Sequence, residues 1–572
     1  MLVALAIAIF VWQAVTASRA LMDARTRADR VQVLIRAGDF TGAASELQAL
    51  QKATHRAHHQ TEGLFWDLGR HLPFIGRDIG AVQTVSATLD AAAAQNAPVA
   101  LELSARVKNG DFRPQHSRFD LALVERMTPA VTAAAASIDK ATADLDGIRA
   151  DKLLFPFNDL VTKLQKQIAT ARSAADAVST SFTLLPQMLG AHGARDYLLV
   201  IQNPAEIRST GGLPGSFAIL HADQGRVTMT WQGSDSDING PGNGFASPVV
   251  QLAKDTQDEY GTTPATDVRD TAFTPDFPEA ASIQRAMVQQ RLGRTVDGVV
   301  SIDPIALGFL LAGTGPITVG HGVSLNAANI APALLNETYR NLNDPTAQDD
   351  FFQSVARTSF DAVMSGQGDQ EQAMKGLATA AGEHRVLLWS ANADEERRIA
   401  GTAIAGQLSG EPRNVPQVGL YFNDAVAGKV DFYLHYRSNV SAVDCRNDHS
   451  QDLRATISLA STVPANGASL TPYIVGLGTF APKGTIAVNL RLYAPLGGSV
   501  TDLAVDGQPH SVTADLHEGR QVAYLPIALT PGQQMTVTAD LRTAPGQSGD
   551  GVFSFTPGMV VAPNGVRILS AC

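Results

Sequence analysis

Residues 195–225 read RDYLLVIQNPAEIRSTGGLPGSFAILHADQG. Tyr197 to Ile201 is a short apolar run bounded by polar residues, the pattern of a buried strand. Phe217 to His221 resumes a strand. Between them lie Gly211, Gly212 and Gly215, which let the backbone approach a ligand closely or adopt positive φ. With Arg208 beside them, successive N–H groups here could hold an anion. The other reading is a tight structural loop between two strands.

Downstream, helical and extended patterns alternate. A helix is expected over Ala280–Gln290, a strand over Thr295–Asp303 and a helix over Ile305–Ala312. Thr314–Val319 is again extended, and further helices carry Tyr339-Arg340 and Phe351–Met364. Strands alternating with helices predict a sandwiched, mostly parallel sheet over 191–412. From Pro416 the pattern changes to short alternating runs, such as Lys429–Tyr436, Leu453–Leu459 and Ile486–Leu492. Turn residues such as Pro464-Ala465-Asn466-Gly467 separate them, which predicts a β-sandwich over 413–572.

Upstream, residues 19–190 are Ala-rich, with apolar residues at helical spacing in Val31, Leu34, Ile35, Leu47 and Leu50. Breaks at Gly38-Asp39, at Leu64–Gly76 and at Phe155-Pro156-Phe157 divide this stretch into the helices of a bundle stalk. Leu2 to Ser18 carries no charge and is at the short limit for crossing about 30 Å of hydrocarbon. We read 1–18 as an uncleaved transmembrane anchor, since Ala17-Ser18-Arg19 is a poor cleavage site. Arg19, Arg25, Arg27 and Arg30 follow it, whereas the positive-inside rule favours basic residues on the cytoplasmic side. Either basic residues upstream of Met1 reconcile that with an exported body, or the β-rich body is intracellular; the cysteine pair favours the first. The fold class is therefore multidomain α+β: membrane helix, helical bundle stalk, central α/β sandwich and C-terminal β-sandwich.

The chain has 572 residues, 45% hydrophobic and 17% charged, so it can bury real cores. A net charge of −11 disfavours broad nucleic-acid binding, although a local basic pocket is compatible with it. The two cysteines, Cys445 and Cys572, lie in no CxxC or Cys/His cluster. They read as one disulfide in an oxidising compartment or as two inert buried thiols. Asp235–Gly240 begins like a calcium loop but has Ala246 where the bidentate Glu belongs, so an Asx-rich turn fits better. His55, His58 and His59 share a helical side, with no evident acidic or cysteine partner for a metal. Nucleotide-loop, zinc-protease and α/β-hydrolase motifs are absent from the sequence.

The segment 195–225, together with FTPDFP, VDGVVSIDPIAL, TGPITV, LFWDLGRHLPFIGRD and GLYFNDAVAGKVDFYL, resembles the bacterial family catalogued as domain of unknown function 4012. That resemblance implies a membrane-anchored envelope protein. More distantly, the central region resembles the LytR-CpsA-Psr phosphotransferases, which move glycopolymers from a polyprenyl-pyrophosphate carrier to the cell wall. Arg208-Ser209-Thr210 is similar to their Arg-Ser-Asp-Thr motif without its metal-binding Asp. Arg269-Asp270 is similar to their Pro-Arg-Asp motif, and Tyr339-Arg340 with Arg357 to their Arg-rich helix. The resemblance implies a phosphate site at Arg208, Arg269, Arg340, Gly211 and Gly212, with a Mg²⁺-type cation held by Asp270 or Asp276.

Two functions are thus expected of one single-pass, largely extracytoplasmic protein. The first is binding of a glycopolymer or polyprenyl-linked precursor, and the alternative is phosphotransfer to the cell wall. Convergence of Arg208, Arg269 and Arg340 on one cleft would favour the second; scattered, paired arginines would count against it.

Overall fold

The computed structural model describes residues 2–408, 415–513, 515–559 and 567–572, with the side chains of 2–8 and of 321 outside that description. The chain divides into two compact units, one of residues 1–114 and 119–193, the other of 115–118 and 194–572.

The first unit is helical. Its apolar spacing produces Leu2–Ala37, Phe40–Gln60, Gly76–Ala91, Ala97–Asn109, Leu121–Asp146 and Phe157–Met188. Gly38, at φ 78°, ends the first helix. The N–H groups of Gly38 and Asp39 return to the Ile35 and Leu34 carbonyls, and Asp39 then caps the next helix through Gly42 N. The seam between these two helices holds Ala24, Val31, Leu47, Leu50 and Ala53. The first helix runs without interruption through Ser18, so no structural break separates the expected anchor from the stalk. Met1 and the side chains at the start of that anchor lie outside the described residues. Among the described residues no helix is long and apolar enough to cross a membrane.

The second unit opens with β1 (Arg195–Asn203), β2 (Leu213–Asp223), β3 (Arg226–Ser234) and β4 (Gly298–Ile302). The hairpin β5 (Ile317–Val319) and β6 (Val323–Leu325) precedes β7 (Val386–Ser390). One sheet takes the order β3-β2-β1-β4-β7. It is not mostly parallel as expected: among its described strands only β1 and β4 run parallel. The reason is local. Gln224 and Gly225 both have positive φ (47° and 81°), the two-residue turn that folds β2 back onto β3. The loop 204–212 likewise reverses the chain between β1 and β2, so only β1 to β4 requires a long crossover. Asp235–Asn239 is a short helix with a Ser234/Asp237 capping box. Helix Phe277–Leu292 supplies Ile283, Met287 and Val288 to the core beneath this sheet.

The C-terminal strands are β8 (Gln417–Asp424), β9 (Leu434–Cys445), β10 (Gln451–Ser461), β11 (Ile486–Tyr493), β12 (Ser499–Val505), β13 (Gln508–His510), β14 (Asp515–His517), β15 (Arg520–Leu529), β16 (Gln534–Arg542), β17 (Gly551–Phe555) and β18 (Arg567–Ile568). They form sheets in the orders β13-β12-β16-β10-β9 and β14-β15-β11-β8-β17-β18. Side chains of both sheets, among them Leu420, Phe422, Leu453, Ile457, Leu490, Val537 and Phe553, meet in one core. Cys445, at the end of edge strand β9, is bridged to Cys572 just beyond edge strand β18. The disulfide thus joins the borders of the two sheets. β8 is buried along its whole length, facing the sandwich core on one side and the α/β part of the unit on the other.

Candidate functional site

Every residue from 204 to 212 is buried, which is unusual for a loop because its backbone polar groups must then find protein partners. They do. Asn203 Oδ1 accepts from Ala205 N, and its amide donates to the Tyr339 hydroxyl at 2.7 Å. Leu213 N donates to the Glu206 carbonyl, Gly211 N to the Arg208 carbonyl, and Gly212 N to Gln202 Oε1 at 2.9 Å. The glycine N–H groups expected to face an anion are therefore used inside the loop. Both glycines are required for closeness: a Cβ on Gly211 would lie 2.4 Å from Gln202 Oε1, and one on Gly212 2.3 Å from the Asn203 carbonyl carbon. Gly211 also has φ 141°.

The outer side of the loop is keyed into the sandwich. Ile207 joins the sandwich core, its N–H donates to Asp431 Oδ2 (3.1 Å) and its carbonyl accepts from Asp424 N (2.8 Å). Ser209 N donates to Asn423 Oδ1 (3.0 Å), and its carbonyl accepts from the Thr556 hydroxyl (2.9 Å). The most motif-like segment of the chain is therefore a joint between the α/β sheet and the sandwich.

That joint carries a buried charge network. The Arg208 guanidinium lies 3.2 Å from Glu206, 3.7 Å from Asp270 and 3.8 Å from Asp424, and stacks over the Phe273 ring at 4.6 Å. Lys429 Nζ bonds the other Glu206 oxygen. Burial alone would raise the Glu206 carboxyl, but Lys429 and Arg208 outweigh it and hold the group below the usual carboxylate range. Burial, then the nearby Glu206 charge, pushes Asp424 up to about 6. Burial and Asp424 raise Asp431 well above its ordinary value. Arg208 Nε and Asp431 Oδ1 are buried with no hydrogen-bond partner among the described residues.

At the rim, Arg269 is gripped by both oxygens of Asp267 and lies 3.6 Å from Asp235. The Asp267 hydrogen bonds raise its basicity further. Asp270, partly exposed, links rim and interior; burial lifts its carboxyl to about 6. Arg340 stays outside: it is exposed on Thr338–Asn341, without an ion-pair partner among the described residues. Its neighbour Tyr339 is the residue that reaches the joint. Arg357 hydrogen-bonds Gln232 Oε1 and the Met229 carbonyl instead. Asp276 is separate again. It caps helix Phe277–Leu292 through Glu279 N and accepts from Leu408 N, and burial pushes it up to about 7. Arg208 and Arg269 are thus both paired with carboxylates and meet at Asp270, Arg340 stays apart, and Asp270 and Asp276 do different work. Among the described residues no group of three or more His, Cys, Asp or Glu is arranged to hold a metal ion.

Sequence reasoning missed Glu206, Asp424, Lys429 and Asp431. A signal was present in GLYFNDAVAGKVDFYL, where ionisable residues interrupt an otherwise apolar strand and turn.

Residues 192–339 match the model of a family described as protein of unknown function (DUF4012). That span includes the loop, Arg269, Asp270 and Tyr339, and ends before the sandwich residues that complete the joint. No curated protein matches the chain. Among solved structures, Lin1025 protein from Listeria innocua is similar at 13% identity, over 40% of this chain and 85% of that one, with a TM-score of 0.23.

Proposed function

For a chain whose residues 192–339 match the DUF4012 family model, we propose a membrane-anchored, extracytoplasmic protein of the cell envelope that binds a glycopolymer or lipid-linked precursor. The observation that carries the binding reading is the charge balance at the rim. Asp235, Asp267 and Asp270 surround Arg269, so carboxylates outnumber the cation. Such a surface accepts hydrogen bonds from sugar hydroxyls and repels a pyrophosphate. The alternative, phosphotransfer by a LytR-CpsA-Psr-like domain, needs arginines free to meet phosphate oxygens. Here Arg208 and Arg269 already face carboxylates. The Cys445–Cys572 bridge supports the oxidising compartment, and the uncharged run Leu2–Ser18 supports the anchor.

The test is binding of purified, detergent-solubilised full chain to soluble cell-wall glycan fragments, followed by calorimetry. Asp235→Asn and Asp270→Asn should each weaken binding by about tenfold, the effect of a charge-assisted hydrogen bond. Unaltered affinity in both variants would remove the rim from the reading. Release of polyprenyl phosphate from a lipid-linked glycan, lost in Arg208→Lys, would install the phosphotransferase in its place.

A further inference from the structure

The helical unit carries a surface that the glycan reading does not use. Its short helix Leu64–Gly69 and the turn after it bury Trp66 while leaving Leu64, Phe65, Leu68, Leu72, Phe74 and Ile75 exposed. Phe74 is 94% exposed and holds φ at 71°, a conformation that costs a bulky residue energy. The backbone is thus strained where it presents an aromatic ring to the surroundings. A second loop lies alongside: Leu154 N donates to Asp78 Oδ1 at 2.9 Å, and Phe155, next to it, is 81% exposed. Both loops expose large apolar side chains of the kind that marks an interaction surface.

Cations border the patch. A cavity of about 660 Å³ between the two loops is lined by Arg70, Arg77, Arg149 and Lys152, with Glu62 as the acidic exception. Arg149 and Lys152 share Asp151, at 3.6 and 3.2 Å. Arg70 and Arg77 have no carboxylate partner among the described residues. In a chain with a net charge of −11, this basic cavity stands out.

The patch is also continuous with the N-terminal apolar run. The Phe10 ring packs on Trp66 at 4.9 Å between centroids, and Ala17 is buried in the bundle. The uncharged run Leu2–Ser18 and the helix carrying Trp66 therefore meet in this unit. Apolar and aromatic side chains beside arginine and lysine match a bilayer interface, whose acyl boundary takes the former and whose phosphates take the latter.

We infer that the tip formed by residues 64–77 and 149–160 is a bilayer-docking surface, with Phe74 and Phe155 inserted at the acyl boundary and the Arg70/Arg77 cavity holding the phosphate of an anionic phospholipid. The inference deepens the membrane-anchored reading and rests on it for the role of the N-terminal helix.

The experiment uses the full chain with its native disulfide, reconstituted in phosphatidylcholine vesicles with and without phosphatidylglycerol. An environment-sensitive fluorophore is attached singly to Phe74→Cys, Phe155→Cys, Trp12→Cys or, as a water-exposed reference, Val323→Cys, and lipid-borne spin labels act as quenchers. Labels at 74 and 155 should be quenched at least about fivefold more than the label at 323, and more strongly with phosphatidylglycerol. Arg70→Gln should weaken that lipid dependence about fivefold, the effect of one cation near an anionic surface, while Arg77→Gln reports independently if the first variant folds poorly. Labels at 74 and 155 as unquenched as that at 323 would overturn the docking surface. So would blue shifts at 74 that appear without lipid and grow with protein concentration, which would assign the patch to a second copy of the chain. Quenching at 12 with none at 74 would refute this inference and leave the anchor standing; the converse would refute the anchor and keep the tip.

Discussion

Replacing Arg208 with methionine keeps most of its volume and removes its charge. In the wild type the guanidinium sits 3.2, 3.7 and 3.8 Å from carboxylates of Glu206, Asp270 and Asp424. At an effective dielectric constant of about 20, each attraction is worth about 4 to 5 kcal/mol before desolvation offsets it. The variant leaves Glu206, Asp424 and Asp431 in a buried site with Lys429 as their remaining cation. Breaking a buried pair in this way costs about 3 to 5 kcal/mol, because the stranded carboxylates have no water to turn to. Urea unfolding of the sandwich-containing unit should therefore shift its midpoint down by about 1 M or more at neutral pH, at an unchanged slope. The deficit should shrink on acidification, as the stranded carboxylates take up protons. Arg269→Met, at the partly exposed rim, should cost about 1 kcal/mol or less. A cation held ready for a phosphate behaves in the opposite way, since its removal relieves nothing but repulsion. An Arg208→Met midpoint equal to or above the wild type would refute the joint.

Asp276 and Asp270 bind protons more tightly when folded, with carboxyls lifted to about 7 and about 6 against an ordinary value near 4. A raised carboxyl makes the folded state the better proton binder, so the stability these groups contribute is fully present below about pH 4 and is lost as pH rises from there through about 6 for Asp270 and about 7 for Asp276. Asp276→Asn keeps the helix cap and should flatten that decline in urea midpoints between pH 5 and 8. Reducing Cys445–Cys572, which spans 127 residues, should cost about 4 to 5 kcal/mol on the chain-entropy account, read as the midpoint shift with and without reductant. Gly212→Ala would drive a Cβ into the Asn203 carbonyl and should destabilise by about 1 to 3 kcal/mol, measured the same way.

The helical unit was legible because Val31, Ile35, Leu47 and Leu50 repeat at helical spacing, and the same residues line the observed seam. The sandwich was legible from alternation, and the cysteine pair from its isolation. Strand direction was not, because Gln224-Gly225 is a weak hairpin signal in sequence and the glycines of loop 204–212 suit a ligand cradle as well as a chain reversal. Glycines beside an arginine are chemically suited to anions, and nothing local distinguishes that use from close packing. What decides it is the identity of the partners. Asn423, Asp431 and Thr556 stand more than two hundred residues downstream of Ile207 and Ser209, as separations of 214, 224 and 347 residues attest. No window along the chain contains both sides of that contact.

Ile207 also sets what can be moved between proteins. The stretch 192–339 that sequence comparison isolates carries Ile207 without the sandwich core that receives it, and Arg208 without Asp424. Expressed alone, it would offer a greasy side chain and a half-neutralised cation to solvent. A gene fusion or domain graft that respects the polymer must therefore carry β1 through β18 together.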